Sequence, residues 1–178
     1  MNWYVDAGTL QNFGAVDALS DLLAFVVPDG PPYWTHGVKG EVLAGIGIPG
    51  CDRVLGCSEL GRAVEVPLEL AGDVDDTRIA LGGGFDGKHR GEAEAIVLAL
   101  SDGGGFVTDD GAAYHYARDQ LDEHRVLDTL GVLKHLVAAE HMSAWEAKTL
   151  ADAIRGAGRH LAYWHPPTLT VHDFMSIA

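Results

Sequence analysis

The chain has 178 residues, 47% of them hydrophobic, which suits one domain over 1–178 with a sizeable core and leaves little room for a second. No run approaches the roughly 18 to 20 apolar residues that span a bilayer, and the first residues lack the basic-then-apolar order of a secretory signal, so a cytoplasmic protein without a membrane span is expected. A formal net charge of −14 with four lysines argues against a surface that holds nucleic acid by bulk electrostatics, and the two cysteines, Cys51 and Cys57, read as free thiols.

Trp3-Tyr4-Val5 reads as a strand ending in an acid, Asp6. A helix or helix pair follows over Thr9 to Phe25, with Leu10, Phe13, Val16, Leu19, Leu22 and Leu23 at near-helical intervals, and Pro28 to Pro32 ends it. Thr35 suits the N-cap of a helix carrying Val38, Val42 and Ile46, which stops at Gly47 and Pro49. Arg62 to Leu70 alternates like a strand, with Pro67 marking an edge or an end. Ala93, Ile96, Val97 and Leu100 form the stripe of a helix from Gly91 to about Leu100, stopped by Gly103-Gly104-Gly105. Phe106 to Thr108 is the next strand, followed by Asp109 and Asp110, a helix from Gly111, and a short strand at Arg125 to Leu127. Helices fill the chain from about residue 129, the first capped by Asp128 or Thr129, the second by a Ser143/Glu146 capping box. The alternation is α/β. Neither glycine run, 82–84 or 103–105, has a phosphate-loop pattern.

Two strands that each deliver an acid point to one site, because ligands of open parallel sheets bind beyond the carboxyl ends of the strands. Carboxylates without an obvious partner cation suggest a divalent metal such as Mg²⁺, which prefers oxygen ligands, and Asp6, Glu41, Glu92 and Asp110 supply that chemistry. An ion so held activates water for attack on a phosphodiester. Glu92 and Glu94 lie about 200° apart around a helix, so one is a bystander; Glu92, at the helix start, is preferred and Glu94 is the fallback. Asp6 and Asp110 also stand where N-caps are wanted, Glu41 alone reads as a solvated helix residue, and Glu92 as a first-turn acid. Lys88 and Arg90 either meet substrate phosphates or, for Lys88, pair with Glu92 along the surface. Thr108 either orders a water or phosphate or satisfies a loop N–H. The nine histidines read as scattered surface residues and the four tryptophans as core or interface.

The pieces Val5-Asp6-Ala7-Gly8-Thr9-Leu10, Val38-Lys39-Gly40-Glu41-Val42, Gly91-Glu92-Ala93-Glu94-Ala95-Ile96, Val107-Thr108-Asp109-Asp110 and Asp128-Thr129-Leu130-Gly131-Val132-Leu133 together resemble a PIN domain in order and separation, from Asp6 to about Arg159. The resemblance implies a three-layer α/β/α fold around a mostly parallel sheet of about four to five strands. It implies a metal-dependent endoribonuclease using Mg²⁺ or Mn²⁺, with Asp6, Glu41, Glu92 and Asp110 catalytic. Asp6, Glu92 and Asp110 would hold the metal, the pattern Thr-x-Asp placing the ligand at Asp110 with Asp109 a second ligand or a neighbour. RNA is the implied substrate, and an antitoxin protein and a second copy of the chain are the implied partners. The long middle region, Cys51 to Arg90, and the extended C-terminal helices depart from the small toxins of this family. A non-catalytic PIN-like binding module is the alternative.

Overall fold

The computed structural model describes residues 1–26, 33–84 and 87–175; the helix stop read at Pro28 to Pro32 lies outside them. In chain order the elements are β1 (Trp3–Val5), α1 (Ala7–Ala15), α2 (Leu19–Val26), α3 (His36–Ala44), α4 (Cys51–Gly56), α5 (Ala71–Ala80), α6 (Arg90–Asp102), β2 (Gly105–Val107), α7 (Gly111–Gln120), β3 (Val126–Leu127), α8 (Thr129–Ala138) and α9 (Ala144–Gly156). The strands form one parallel sheet in the order β1-β2-β3, with Tyr4 opposite Phe106 and Phe106 opposite Val126.

Both faces of the sheet are covered, as a parallel sheet requires. Successive side chains alternate faces, so Val5 and Val107 join a core with Leu10, Phe13 and Leu22 of the α1–α2 segment, Leu133 of α8 and Ile154 of α9. Tyr4, Phe106 and Val126 point the other way, into a core with Val74 of α5, Ile96 of α6 and Ala113 and Ala117 of α7. The result is helix, sheet, helix. No helix among the described residues is long and apolar enough to cross a membrane.

The sheet has three strands among the described residues, not the expected four to five. Two further positions are held by single parallel bridges, Tyr4 with Tyr33 and Thr35 with Val64. Tyr33 exchanges 3.0 Å bonds with Val5 and Trp3, but the chain turns into α3 two residues later, leaving no length for a ladder. The expected strand over Arg62 to Leu70 is likewise overturned: only Val64 pairs, and a 3-10 turn over Leu68–Leu70 follows Pro67, which has no N–H to give a sheet. Helices α4 and α5 occupy stretches without an apolar stripe; in α5 only Val74 and Thr77 are buried.

Local chemistry accounts for the helix starts. Thr35 caps α3 by accepting from Val38 N–H, and Ser143 and Glu146 form the capping box of α9. Helices α3 and α6 cross at two glycines, where a Cβ on Gly37 would stand 3.0 Å from Gly91 Cα and one on Gly91 2.9 Å from Val38 N. Only bare backbone permits that approach.

Candidate metal centre

Each strand of the sheet is followed, within three residues, by an aspartate that caps the next helix. Asp6 Oδ1 accepts from Thr9 N–H at 2.6 Å, Asp110 Oδ1 from Ala113 N–H at 2.9 Å, and Asp128 Oδ1 from Gly131 N–H at 2.7 Å. The positive ends of three helix dipoles thus meet the carboxyl ends of three parallel strands, which offsets the cost of crowding acids there. Capping and site roles are not exclusive, because each carboxylate has about four lone-pair positions and a cap uses one.

Thr108 ties two of these acids together. Its hydroxyl donates to Asp6 Oδ2 at 2.6 Å and accepts from Asp110 N–H at 3.0 Å, fully buried. Asp6 is almost completely buried too, and burial lifts its carboxyl to about 6, against the hydrogen bonds from Thr108 and Thr9 and with the charge of Glu92 adding to the rise. Replacing Thr108 with Val removes both bonds at once. A loss of about 1 to 3 kcal/mol in urea unfolding is expected.

The α3–α6 crossing brings in the glutamates. Glu41 on α3 accepts from Gly91 N–H at the start of α6 at 2.9 Å, while Glu94 on α6 accepts from Gly37 N–H at the start of α3 at 2.7 Å. Each helix therefore carries an acid that caps the other. Glu94 also takes Arg90 Nε at 2.8 Å, so its two oxygens are both committed. Burial and then the charge of Glu92 push Glu41 up to about 8, with Gly91 N–H opposing and Asp6 adding, and Glu41 and Glu92 stand within reach of a shared proton. A cleft of about 380 Å³, lined by His36, Gly40, Glu41 and Arg90, opens beside Glu41.

Glu92 is directed at Asp110 and at a histidine that has no ligand spacing in the sequence. His89, Glu92 and Asp110 each offer a ligand atom, all within 4.8 Å of one another. His89 Nδ1 lies 3.6 Å from Glu92 Oε1, its side chain 9% exposed, and it holds a left-handed backbone with φ of 62°. Neither His89 Nδ1 nor Glu92 Oε2 has a hydrogen-bond partner among the described residues, although both are buried. Buried polar atoms are nearly always satisfied, so two such atoms on facing side chains leave spare ligand capacity at this spot.

The other expected site residues are placed differently. Asp109 turns from the cluster into the α1–α8 interface, where Asn12 Nδ2 and the Thr129 hydroxyl donate to Oδ2 and Thr129 N–H to Oδ1. Burial and the charge of Asp128 lift it to about 7, with Thr129 opposing. Its geometry is that of a brace between helices. Arg159 extends the brace, donating to Asn12 Oδ1 at 3.0 Å and Gln11 Oε1 at 2.8 Å. Arg90 is held by Glu94 rather than presented toward the acids, and Lys88 is exposed.

No family model, curated protein or solved structure matches the chain.

The chemistry of the site thus rests on its own residues. His89 falls outside ligand spacings because its partners come from two other positions in space, Glu92 three residues on and Asp110 at the end of another strand. The one available signal was its place directly before an amphipathic helix with a first-turn acid. Glu94→Ala separates structural from ligating glutamates: it strands the Gly37 N–H and is expected to cost about 1 to 3 kcal/mol in chemical denaturation. Mn²⁺ affinity measured on the same variant is expected to stay unchanged.

Proposed function

We propose that the chain is a PIN-like, metal-dependent endoribonuclease, with a divalent ion held by Glu92, Asp110 and His89 and steadied by Asp6 and Glu41. The observation that carries this reading is the pair of buried atoms with no hydrogen-bond partner among the described residues, Glu92 Oε2 and His89 Nδ1, set beside Asp110 just beyond the end of a parallel strand. A cation supplies what both atoms lack. When bound, such an ion polarises a phosphoryl oxygen and lowers the pKa of a coordinated water. Asp6, through Thr108, fixes the Asp110 backbone. Glu41, raised in the metal-free chain by burial and by the charge of Glu92, would give up its proton as an ion fills the centre and so add a carboxylate beside Glu92.

The donor set also ranks the ions. Mg²⁺ favours oxygen alone, whereas an imidazole nitrogen suits later divalent metals, so Mn²⁺ is expected to bind more tightly than Mg²⁺. Calorimetry with the two ions on wild type and on His89→Ala checks this, the variant losing most of the Mn²⁺ preference. Unchanged affinity for both ions would remove His89 from the ligand set. The function is tested with a fluorophore-quencher RNA: cleavage that requires Mn²⁺ and stops with chelator supports it.

A metal-free PIN-like binding module is the second reading, favoured by the proximity of Glu41 and Glu92, which a shared proton satisfies without an ion. RNA binding undiminished by chelator, with no cut product, is its signature.

A further inference from the structure

A cavity of about 620 Å³ lies away from Glu92 and Asp110, at the open edge of β3 between α7 and α8. We infer that this cavity is a second site, one that binds a nucleotide, meaning an aromatic base carrying a phosphate, either free or as one unit of a single strand.

Its size falls in the range of small-molecule sites. Its balance differs from that of the chain: Arg118 and Lys134 match the two acids Glu123 and Asp128, and the imidazoles of His124, His135 and His165 join them, in a protein with 26 acids and 12 lysines and arginines. Both acids are already engaged. Glu123 pairs with Arg118, and Asp128 accepts from Gly131 N–H, from Trp164 Nε1 at 3.0 Å and from His165 Nε2 at 2.6 Å. Burial alone would raise Asp128, yet the hydrogen bond and charge of His165, with Gly131 and Trp164, hold it below the usual carboxylate range. It stays an anion that fixes two rings. His135 donates through Nδ1 to Gly131 O at 2.9 Å, which leaves Nε2 as its unassigned polar atom.

The aromatic wall is equally set in place. Trp164 leans on Tyr114 with centroids 4.4 Å apart and ring planes 36° apart, and its indole N–H is tied to Asp128. Flat, pre-fixed rings beside basic groups are the arrangement that receives bases and their phosphates. An added peptide strand is disfavoured because β3 offers only two residues for pairing.

Calorimetric titration of AMP and UMP into chelator-treated protein tests the proposal, with adenosine and ribose 5-phosphate as ligands that each lack one half of the chemistry. Saturable nucleotide binding is expected, at least about tenfold weaker for either fragment and about tenfold weaker in Lys134→Glu. Trp164→Phe is expected to weaken it as well; should that variant unfold, ¹H–¹³C spectra of wild type must show AMP shifting the His124, His135 and His165 rings and leaving His36 and His172 unmoved. A tetranucleotide that binds more tightly than AMP identifies a strand unit, and the reverse order a free nucleotide. Titration into Glu92→Gln is expected to match wild type, so failure of the nuclease reading leaves this result intact. Nucleotide binding equal in Lys134→Glu, or ring resonances that do not move, overturns the proposal.

Discussion

Glu92→Gln combined with Asp110→Asn is expected to abolish Mn²⁺-dependent RNA cleavage, with a loss above about 100-fold, because outer partners of metal ligands alone cost 10- to 100-fold and these are the ligands themselves. The fold is expected to survive. Asn and Gln keep the shape of the originals, an asparagine in place of Asp110 can still cap α7 through its side-chain oxygen, and Glu92 Oε2 has no hydrogen bond among the described residues for the change to break. Removing charge from a crowded group of acids should even raise the melting temperature of the metal-free chain. The informative pattern is thus a more stable protein that neither binds Mn²⁺ nor cuts. If the double variant cleaves at the wild-type rate, the catalytic ion is not held by these residues.

The second large effect is on stability against pH. Burial raises Asp6 from 3.8 to about 6, Asp109 from 3.8 to about 7 and Glu41 from 4.5 to about 8. A carboxyl raised on folding binds more protons in the folded than in the unfolded chain between the two values. Stability therefore falls as pH rises, from about pH 4 until each folded value is passed, the last near pH 8. A divalent ion takes the place of the missing protons. Thermal melts with chelator are expected to drop steadily from pH 5 to 8, and melts with Mn²⁺ to be much flatter, so that the increment from the ion is largest at pH 8. Asp109 contributes to the slope without touching the ion, being held by Asn12 and Thr129. Asp109→Asn is therefore expected to reduce the fall but not the response to Mn²⁺. A metal-free chain that grows more stable toward pH 8 would contradict the buried, crowded state of these acids.

Much of this arrangement was legible in the sequence. Strands β1 and β2, each a short apolar run closed by an acid, were visible because hydrophobic runs and capping aspartates are local signals. So were the starts of α3, α8 and α9, for the same reason. The missing strands were not legible: Tyr33 and Val64 make real backbone pairs, but how many residues a segment contributes to a sheet depends on where the next turn falls. Nor was the direction of Asp109, which depends on Thr129 and Asn12 being carried to it by α8 and α1. His89 was hidden twice, by lacking a ligand spacing and by a left-handed backbone that residue type does not announce. The histidines as a group are not all surface residues either, since His165 is largely covered and bonded to Asp128.

The exchange of glutamates between α3 and α6 makes the clamp and the acid beside the ion the same side chain. Glu41 holds the Gly91 amide, where α6 starts, through Oε1, so it would meet a cation through its remaining lone pairs. The proposed ion would therefore sit against the same carboxylate that seats α6 on α3, beside the cleft lined by His36 and Arg90.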